Sequence, residues 1–240
     1  MMKNKEKLEE DGFVIVDKIF SSDEVRVLKE LLQAVDGSNP SFRKTEDLFA
    51  IRRLLIEVME AKKYVLNEAL KTLVRSLFGE AYFIVKSIYF DKPGSSNWFV
   101  SYHQDLTISV NRKADIPGFG PWTTKQDLFA VQPPLEVLEN IYTIRIHLDD
   151  TDENNGALRV VPGSHKRGIV RPEAIDWNKE TEIACRVPAG GIMIMKPLLL
   201  HASSRTISQS RRRVIHIEFS DHSLPAPLEW AEKLPLSSIT

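Results

Sequence analysis

Apolar residues in the first part of the chain follow the spacing of amphipathic helices. One set recurs every three or four positions and comprises Val25, Leu28, Leu32 and Val35. This spacing predicts a helix, and the capping-box pair Ser21 and Glu24 predicts where it begins. Gly37 is predicted to end it. The mostly β-branched residues 13–16, just before this helix, predict a short strand.

A second helical stretch is predicted from about residue 46 to residue 78. Its apolar positions have the same spacing and comprise Leu48, Ile51, Leu55, Val58, Leu66, Leu70, Leu73 and Leu77. Gly79 stands where a helix-ending glycine is expected. We interpret these apolar residues as core contacts, because an amphipathic helix buries its apolar face.

From about residue 81 the pattern changes to short β-rich runs separated by Pro, Gly, Asn and Asp. Six runs predict strands, at residues 82–90, 142–148, 158–161, 183–187, 192–195 and 213–219. Helices followed by many short strands predict a mainly β fold, a sandwich or barrel with helices packed outside it. The 240 residues fit one domain, with a helical part at about 20–80 and a β core at about 81–220.

One connection, at about residues 106–139, is unusually long. It is rich in proline and glycine and also carries the aromatic residues Phe119, Trp122 and Phe129. A connection of this length is typical of a functional segment such as a lid over a site, or of an inert surface insertion. Its length does not distinguish these two interpretations.

Composition and charge narrow the classes of protein. Hydrophobic residues make up 42% and charged residues 27% of the chain, which is typical of a soluble globular protein and not of a disordered, collagen-like or disulfide-rich one. The 32 basic and 33 acidic residues give a net charge of −1, so nothing favours nucleic acid or an anionic membrane as a partner. Cys185 is the only cysteine. We therefore expect a cytoplasmic protein, whose oligomeric state the sequence leaves open.

The strongest local pattern is His103-Gln104-Asp105. In an extended chain the side chains of residues two apart point to the same side, so His103 and Asp105 could present a nitrogen and an oxygen to one metal ion. His201 follows the apolar run 195–200 and is predicted to lie on a buried strand. Two imidazoles and one carboxylate with open coordination positions are the facial triad of non-haem iron(II) oxygenases. Ser203 shares the side of His201 by alternation.

A basic triplet, Arg211-Arg212-Arg213, begins the last long strand pattern. Alternation along a strand predicts that neighbouring arginines point to opposite faces. One of them could be buried against a carboxylate, to which a guanidinium offers two parallel hydrogen bonds.

At this point the chain resembles the phytanoyl-CoA dioxygenase family of iron(II)- and 2-oxoglutarate-dependent oxygenases. The similarity covers nearly the whole chain and includes EDGFV at 10–14, YHQD at 102–105, DENNGAL at 152–158, VPGSH at 161–165, HAS at 201–203 and the arginines at 212–213. The resemblance implies a double-stranded β-helix, also called a jelly roll. It also implies iron(II) held by His103, Asp105 and His201, with 2-oxoglutarate and O₂ as co-substrates.

The resemblance further implies roles for residues around the metal. Arg212 matches the arginine that holds the distal carboxylate of 2-oxoglutarate, and Ser203 matches the hydroxyl residue beside it. Thr143 is a looser match, on a strand that lines the co-substrate cavity in relatives. In related halogenases a small residue replaces the carboxylate, so the presence of Asp105 favours hydroxylation of an unactivated carbon.

Three further residues are candidates for contact with a small organic substrate. Arg145 stands where some family members carry an aromatic residue, so it either adds a charge near the substrate or pairs with Asp105 or another acid. His216 has the strand parity of Arg212 and is expected to face the interior. Trp122 belongs to the long connection. The sequence does not identify the substrate.

Two other functions use the same residues. The triad suits zinc as well as iron, so a cupin-like hydrolase or isomerase is one alternative. A non-catalytic binding module on the same fold is the other, because fold alone does not determine function.

Overall fold

The structure is a computed structural model that describes residues 2–35, 42–45, 49–94, 96, 98–125 and 128–236. The α-helices are α1 Met2–Asp11, α2 Ser22–Gln33, α3 Leu54–Glu57, α4 Ala61–Val65, α5 Glu68–Phe78 and α6 Leu135–Glu139. The strands are β1 Phe13–Val16, β2 Arg43–Lys44, β3 Phe49–Arg52, β4 Phe83–Lys92, β5 Val100–His103, β6 Ile108–Val110, β7 Trp122–Lys125, β8 Leu128–Val131, β9 Tyr142–His147, β10 Leu158–Val160, β11 Ile183–Ala184, β12 Ile192–Met195, β13 His201–Ser203, β14 Arg212–Ser220 and β15 Leu234–Pro235. Short 3₁₀ helices occupy Ser164–Arg167, Pro172–Ala174 and Trp177–Lys179.

Two antiparallel sheets form the body of the fold. The larger one has the strand order β1-β12-β9-β14-β4-β3-β2, with β15 paired to β4, and the smaller one has the order β11-β10-β13-β5. Residues from both sheets line one cavity, which therefore lies between them. This confirms the predicted mainly β fold with flanking helices, the double-stranded β-helix.

Alternation along β9 and β14 gives the larger sheet two different faces. Ile144, Ile146, Ile215 and Ile217 are buried in the main hydrophobic cluster, together with the apolar faces of α2 and α5. The residues between them in sequence, including Arg145 and His216, point to the opposite face, as the period of two in a strand requires. The helices thus cover one face of the sheet, and polar side chains occupy the interior of the β-helix.

The amino-terminal part contains less helix than the sequence predicts. Residues 49–52 form the strand β3, which pairs with β4. The rest of the predicted helical stretch is divided into the short helices α3 and α4 and the longer amphipathic helix α5. Ala50 and Ile51 are buried, and a short run of buried residues satisfies helical and strand spacing equally well. The prediction of helix was therefore wrong for β3. Arg53, with a φ of 54°, separates this strand from α3. Leu48 and Gly37 lie outside the described residues.

The long connection at 106–139 contains secondary structure of its own. Strands β6, β8 and β7 form a three-stranded sheet, which packs with α6 around a second hydrophobic cluster that includes Val110, Val131 and Trp230. This packing orders a segment for which the sequence predicts only a connection. Among the residues that the structure describes, no helix has the length and apolar character needed to cross a membrane.

Candidate active site

Strand pairing in the smaller sheet brings the proposed metal ligands together. In the register of β13 and β5, His201 lies directly opposite His103, and the two ring centroids are 4.2 Å apart. Asp105 completes the group, with its oxygens 3.8 Å from Nε2 of His103 and 3.7 Å from Nε2 of His201. One donor atom from each residue lies within 4.8 Å of the other two, which is a spacing that a single metal ion could bridge.

Backbone carbonyls orient both imidazole rings. Nδ1 of His103 lies 2.8 Å from the carbonyl oxygen of Ser101, and Nδ1 of His201 lies 2.8 Å from that of Leu199. A carbonyl oxygen only accepts hydrogen bonds, so Nδ1 carries the hydrogen in each ring. In the neutral form of each ring the lone pair is then on Nε2, which faces Asp105, and this is the arrangement that metal-binding histidines adopt.

Gln104 holds the backbone between the first two members of the triad, and no sequence pattern marked it as a functional residue. It is buried, and its amide nitrogen donates to the carbonyl oxygens of Gly168 and Leu198 at 2.8 and 2.7 Å. Its amide oxygen accepts from the backbone N–H of Val170 at 2.8 Å. The backbone N–H of Asp105 also donates to the carbonyl oxygen of Pro197. These bonds attach the His-Gln-Asp segment to the loop before His201 and to the loop that follows the 3₁₀ helix Ser164–Arg167.

The electrostatics of the triad suit a cation. Burial alone would raise the pKa of Asp105, but the neighbouring imidazoles of His201, His216 and His103 lower it to about 2. Burial lowers the pKa of His201 to about 4, against the opposing effect of Asp105. At neutral pH the group therefore presents an ionised carboxylate and a neutral imidazole, which are the protonation states in which these residues bind metals.

The three consecutive arginines separate as strand alternation predicts. Arg211 forms an ion pair with Asp91, and Arg213 forms two hydrogen bonds of 2.8 Å with the carboxylate of Asp149. Arg212 points inward instead, where its Nη1 donates to the carbonyl oxygen of Gly156 at 2.6 Å. Its buried Nε has no hydrogen-bond partner within the described part of the chain.

A cavity of about 120 Å³ joins the triad to Arg212. Besides these residues its polar wall contains Ser203, Arg145 and His216. Thr143 is fully buried and its Oγ1 has no partner among the described residues, but it is not part of this wall. Trp122 packs in the second hydrophobic cluster, away from the cavity.

Sequence reasoning missed the apolar part of the cavity wall. This part consists of Phe90, Trp98, Val100 and Leu158. Strand parity could have found Phe90, because its partner Val214 in β14 is two residues from Arg212 and shares its face. No local pattern marks Trp98. These side chains give the cavity an apolar part of its wall beside the polar groups.

Arg145 forms a chain of contacts away from the triad. Its Nη1 lies 3.3 Å from Nδ1 of His216, and Nε2 of His216 lies 3.1 Å from Glu218. Glu218 also accepts from Lys86 at 2.7 Å. Burial would raise the pKa of Glu218, but Lys86 and His216 lower it, so its carboxylate is ionised at neutral pH. Arg145 itself makes no ion pair with any acid in the described residues.

A second cavity of about 250 Å³ adjoins the first. Phe90, Asp105 and His216 belong to the walls of both. The outer wall of the second cavity includes Thr107, Ser109, Leu128 and Ala130 from the 106–139 connection. This connection therefore covers a cavity that reaches the triad.

The residues fit a metal ion together with a dicarboxylate. The triad supplies two nitrogen lone pairs and one ionised oxygen, a set that suits iron(II). Buried nitrogens of Arg145 and Arg212 lack partners in the described residues, and carboxylates are the partners that guanidinium groups prefer.

Comparison with known proteins places this geometry in a family. The sequence profile of phytanoyl-CoA dioxygenase (PhyH) matches residues 8–214. Ectoine dioxygenase of Stutzerimonas stutzeri (strain A1501) is 24% identical over 257 aligned residues, which cover 92% of this chain and 78% of that protein.

Solved structures share the fold at low sequence identity. EctD from S. alaskensis in its apo form has a TM-score of 0.72 and 17% identity, and the match covers 95% of this chain and 80% of that one. HygX from Streptomyces hygroscopicus with nickel and 2-oxoglutarate bound has a TM-score of 0.65 and 15% identity, over 92% of this chain and 87% of that one. Because the family profile spans most of the sequence and both sheets of the fold, the chain belongs to the phytanoyl-CoA dioxygenase (PhyH) family.

Proposed function

We propose that this chain is an iron(II)- and 2-oxoglutarate-dependent dioxygenase that hydroxylates a small organic molecule. In this proposal His103, Asp105 and His201 bind the iron. The observation that carries it is the convergence of their three donor atoms within 4.8 Å, with both histidine rings held so that Nε2 faces Asp105.

Arg212 would bind the distal carboxylate of 2-oxoglutarate at the far end of the smaller cavity. Its guanidinium is buried, carries one bond to a backbone carbonyl, and keeps Nε without a partner in the described chain. Ser203 lines the same cavity and offers a hydroxyl to that carboxylate. Thr143 pairs with Glu218 in the register of β9 and β14 and lies outside the wall of this cavity, so this proposal gives it no contact with 2-oxoglutarate.

The bound iron would supply the redox chemistry, in which O₂ is reduced, 2-oxoglutarate is converted to succinate and CO₂, and one oxygen atom enters the substrate. The protein contributes position and exclusion of water. The backbone bonds at Nδ1 orient the two imidazoles so that both Nε2 atoms face Asp105, and Phe90 and Trp98 contribute apolar surface to the cavity wall.

The larger cavity would hold the substrate. It meets the smaller one at Asp105, Phe90 and His216, so a molecule within it would lie beside the iron. Its volume of about 250 Å³ suits a small molecule, and ectoine dioxygenase is a relative whose name indicates such a substrate. His216 would contact the substrate, while the 106–139 connection would act as a lid. A cytoplasmic location is part of the same proposal, supported by the single, buried Cys185.

The experiment is incubation of the protein with iron(II), ascorbate and 2-oxoglutarate in air, with succinate measured over time. The wild type is expected to form succinate slowly without substrate, and His201→Ala and Asp105→Ala are expected to form none above background. His222→Ala, which alters a histidine outside the cavity, is the matched control. Absence of succinate in the wild type with every small-molecule candidate would contradict the proposal.

A metal-dependent hydrolase or isomerase is the second candidate. It is supported by the triad alone, since imidazole and carboxylate ligands also suit zinc. Such an enzyme has no use for Arg212, which is buried across the cavity. Activity that survives replacement of iron by zinc, without any binding of 2-oxoglutarate, would favour this candidate. A protein that binds no divalent metal would favour the non-catalytic module.

A further inference from the structure

Arg145 is a second buried cation in the cavity that holds Arg212. It lies on β9, is 8% exposed, and faces the interior of the β-helix. Its only hydrogen-bond contact in the described residues is Nη1 to Nδ1 of His216 at 3.3 Å, and its buried Nε has none. A guanidinium stays protonated in proteins, so this cavity contains two positive side chains.

These two arginines differ from the other arginines of the same region. Arg211 and Arg213 are each paired with a carboxylate, from Asp91 and Asp149. Arg145 and Arg212 have no such partner among the described residues, although burial makes an unpaired charge far more costly. A cavity built with two unpaired guanidiniums is complementary to a ligand with two negative charges.

Arg145 lines the cavity together with all three members of the triad and with Arg212. In the register of β14 and β9 it lies opposite His216, which borders both cavities. A carboxylate bound by Arg145 would therefore lie beside the metal position.

We propose that Arg145 binds the carboxylate that adjoins the keto group of the 2-oxo acid, while Arg212 binds the distal carboxylate. This inference rests on the proposed function. It makes Arg145 a co-substrate residue, whereas the sequence suggested a substrate contact or an ion pair with an acid. Two guanidiniums in one cavity, one for each carboxylate, would favour a dicarboxylic 2-oxo acid over a monocarboxylic one.

His216 and Glu218 act as positioning residues for Arg145. Because Glu218 is ionised and accepts at 3.1 Å, Nε2 of His216 carries the hydrogen. Nδ1 of His216 is then an acceptor and receives the N–H of Arg145. Lys86 completes the chain with its bond to Glu218 at 2.7 Å. This chain of contacts positions the guanidinium of Arg145.

The experiment measures binding of two oxo acids to the iron(II) protein without oxygen, through the visible absorption band that forms when an oxo acid chelates the metal. The probes are 2-oxoglutarate and 2-oxobutyrate, which lacks the distal carboxylate. Arg145→Gln is expected to weaken both by a similar factor, roughly 10- to 100-fold for a lost charged hydrogen bond. Arg212→Gln is expected to weaken 2-oxoglutarate by a similar factor and to leave 2-oxobutyrate within about twofold.

Three controls separate this role from a structural one. Arg145→Lys is expected to bind both acids better than Arg145→Gln, because it keeps the charge. Arg145→Met is expected to unfold, without ligand, at or above the temperature of the wild type, since an apolar side chain replaces an unpaired buried charge. Arg186→Gln removes an exposed arginine paired with Glu153 and is expected to bind like the wild type.

The outcomes separate failure of this inference from failure of the proposed function. A wild-type protein that holds iron but binds neither acid overturns both. Wild-type binding of both acids, with Arg145→Gln unchanged or weakened for 2-oxoglutarate alone, overturns only the role of Arg145. The same holds if iron content falls together with oxo-acid affinity in all three Arg145 variants, because Arg145 would then support the triad instead of the ligand.

Discussion

At the scale of single residues, hydrogen bonds to backbone carbonyls determine that Nδ1 of His103 and of His201 carries a hydrogen. The carbonyl oxygens of Ser101 and Leu199 take the Nδ1 hydrogens of His103 and His201. Gln104 holds the intervening chain with three bonds of 2.7 to 2.8 Å. These bonds order the triad, which lowers the free-energy cost of binding a metal there.

Replacement of Gln104 by leucine is expected to weaken iron(II) binding about 10- to 100-fold, the scale for loss of an outer hydrogen-bonding group at a metal site. The substitution leaves the carbonyl oxygens of Gly168 and Leu198 without their donor. Competition with a colorimetric chelator measures the dissociation constant. Gln33→Leu, on the exposed side of α2, is the matched control. An iron affinity within twofold of the wild type in Gln104→Leu would contradict this prediction.

His147 is expected to make stability depend on pH. Burial lowers its pKa well below the ordinary value of 6.5, with further lowering by Arg145 and Arg212, and its Nδ1 contacts Oγ1 of Thr151 at 2.8 Å. Below pH 6.5 the unfolded chain binds a proton at His147 that the folded chain does not. The free energy of unfolding therefore falls as the pH falls, by up to about 1.4 kcal/mol per pH unit for this group.

Urea unfolding of the metal-free protein at several pH values between 7 and 5 tests the effect. His147→Gln lacks the titrating group, so the stability difference between the wild type and this variant is expected to shift in favour of the variant as the pH falls. A difference that stays constant over this range would show that His147 does not contribute.

At the scale of elements, the amino-terminal cap of α2 illustrates a local signal that determines local structure. The backbone N–H of Glu24 donates to Oγ of Ser21, and the carboxylate of Glu24 accepts from the backbone N–H of Ser21 at 2.7 Å. Glu24 also accepts from the side chain of Asn67, which is itself the cap of α5. The capping box predicted from the sequence is therefore present and also joins two helices.

Loss of this cap is expected to cost about 1 kcal/mol of stability in Ser21→Ala, the usual scale for an N-cap. Ser22→Ala, at the neighbouring exposed position, is expected to change stability by less than about 0.5 kcal/mol. Urea unfolding measures both variants. Equal stability of the two would contradict the assignment, and oxo-acid binding is expected to be unchanged in each.

Also at the scale of elements, the 106–139 connection is expected to influence which substrates the larger cavity accepts. Ala130 on β8 lines the larger cavity. Thr124 on β7 pairs with the next residue, Phe129, so it points to the opposite face of this sheet, and it is exposed. Ala130→Phe is expected to narrow the cavity and to change which small molecules stimulate succinate formation, while slow succinate formation without substrate continues. Thr124→Phe adds a ring on the face away from the cavity and is expected to keep the wild-type substrate range. If Ala130→Phe and the control variant accept the same substrates, the proposed role of the connection as a lid over the substrate is contradicted.

A strand was predicted correctly where the pattern lies within the strand itself, and it was missed where the strand depends on pairing with a distant one. The run at Ile192–Met195 has the predicted bounds because it is apolar, buried and flanked by turns. Strand β3 was missed because Ile51 fits the helical spacing of Leu55 and Val58, and its pairing with β4 involves residues far away in sequence. That the chain forms one domain, with a helical part at about 20–80 and a β core at about 81–220, stays a prediction.

At the scale of the whole molecule, the site arises where the two sheets face each other. His103 and His201 are distant in sequence and become neighbours only through the pairing of β13 with β5. The order of motifs along the chain resembles that of the family, and this resemblance suggested the triad and Arg212. The sequence could not show that Arg145 has no ion-pair partner among the described residues or that Gln104 holds the metal-ligand segment. Nor could it show that Trp122 packs in the second hydrophobic cluster, because each of these depends on contacts between elements that are distant in sequence.

The most direct test of the central claim is an iron-edge anomalous difference map from a crystal of the protein grown without oxygen with iron(II) and 2-oxoglutarate. The expected result is one anomalous peak within bonding distance of Nε2 of His103, Nε2 of His201 and a carboxylate oxygen of Asp105, with the distal carboxylate of the oxo acid on Arg212. Iron bound at other residues, or no iron at these three in a protein that remains folded, would contradict the account.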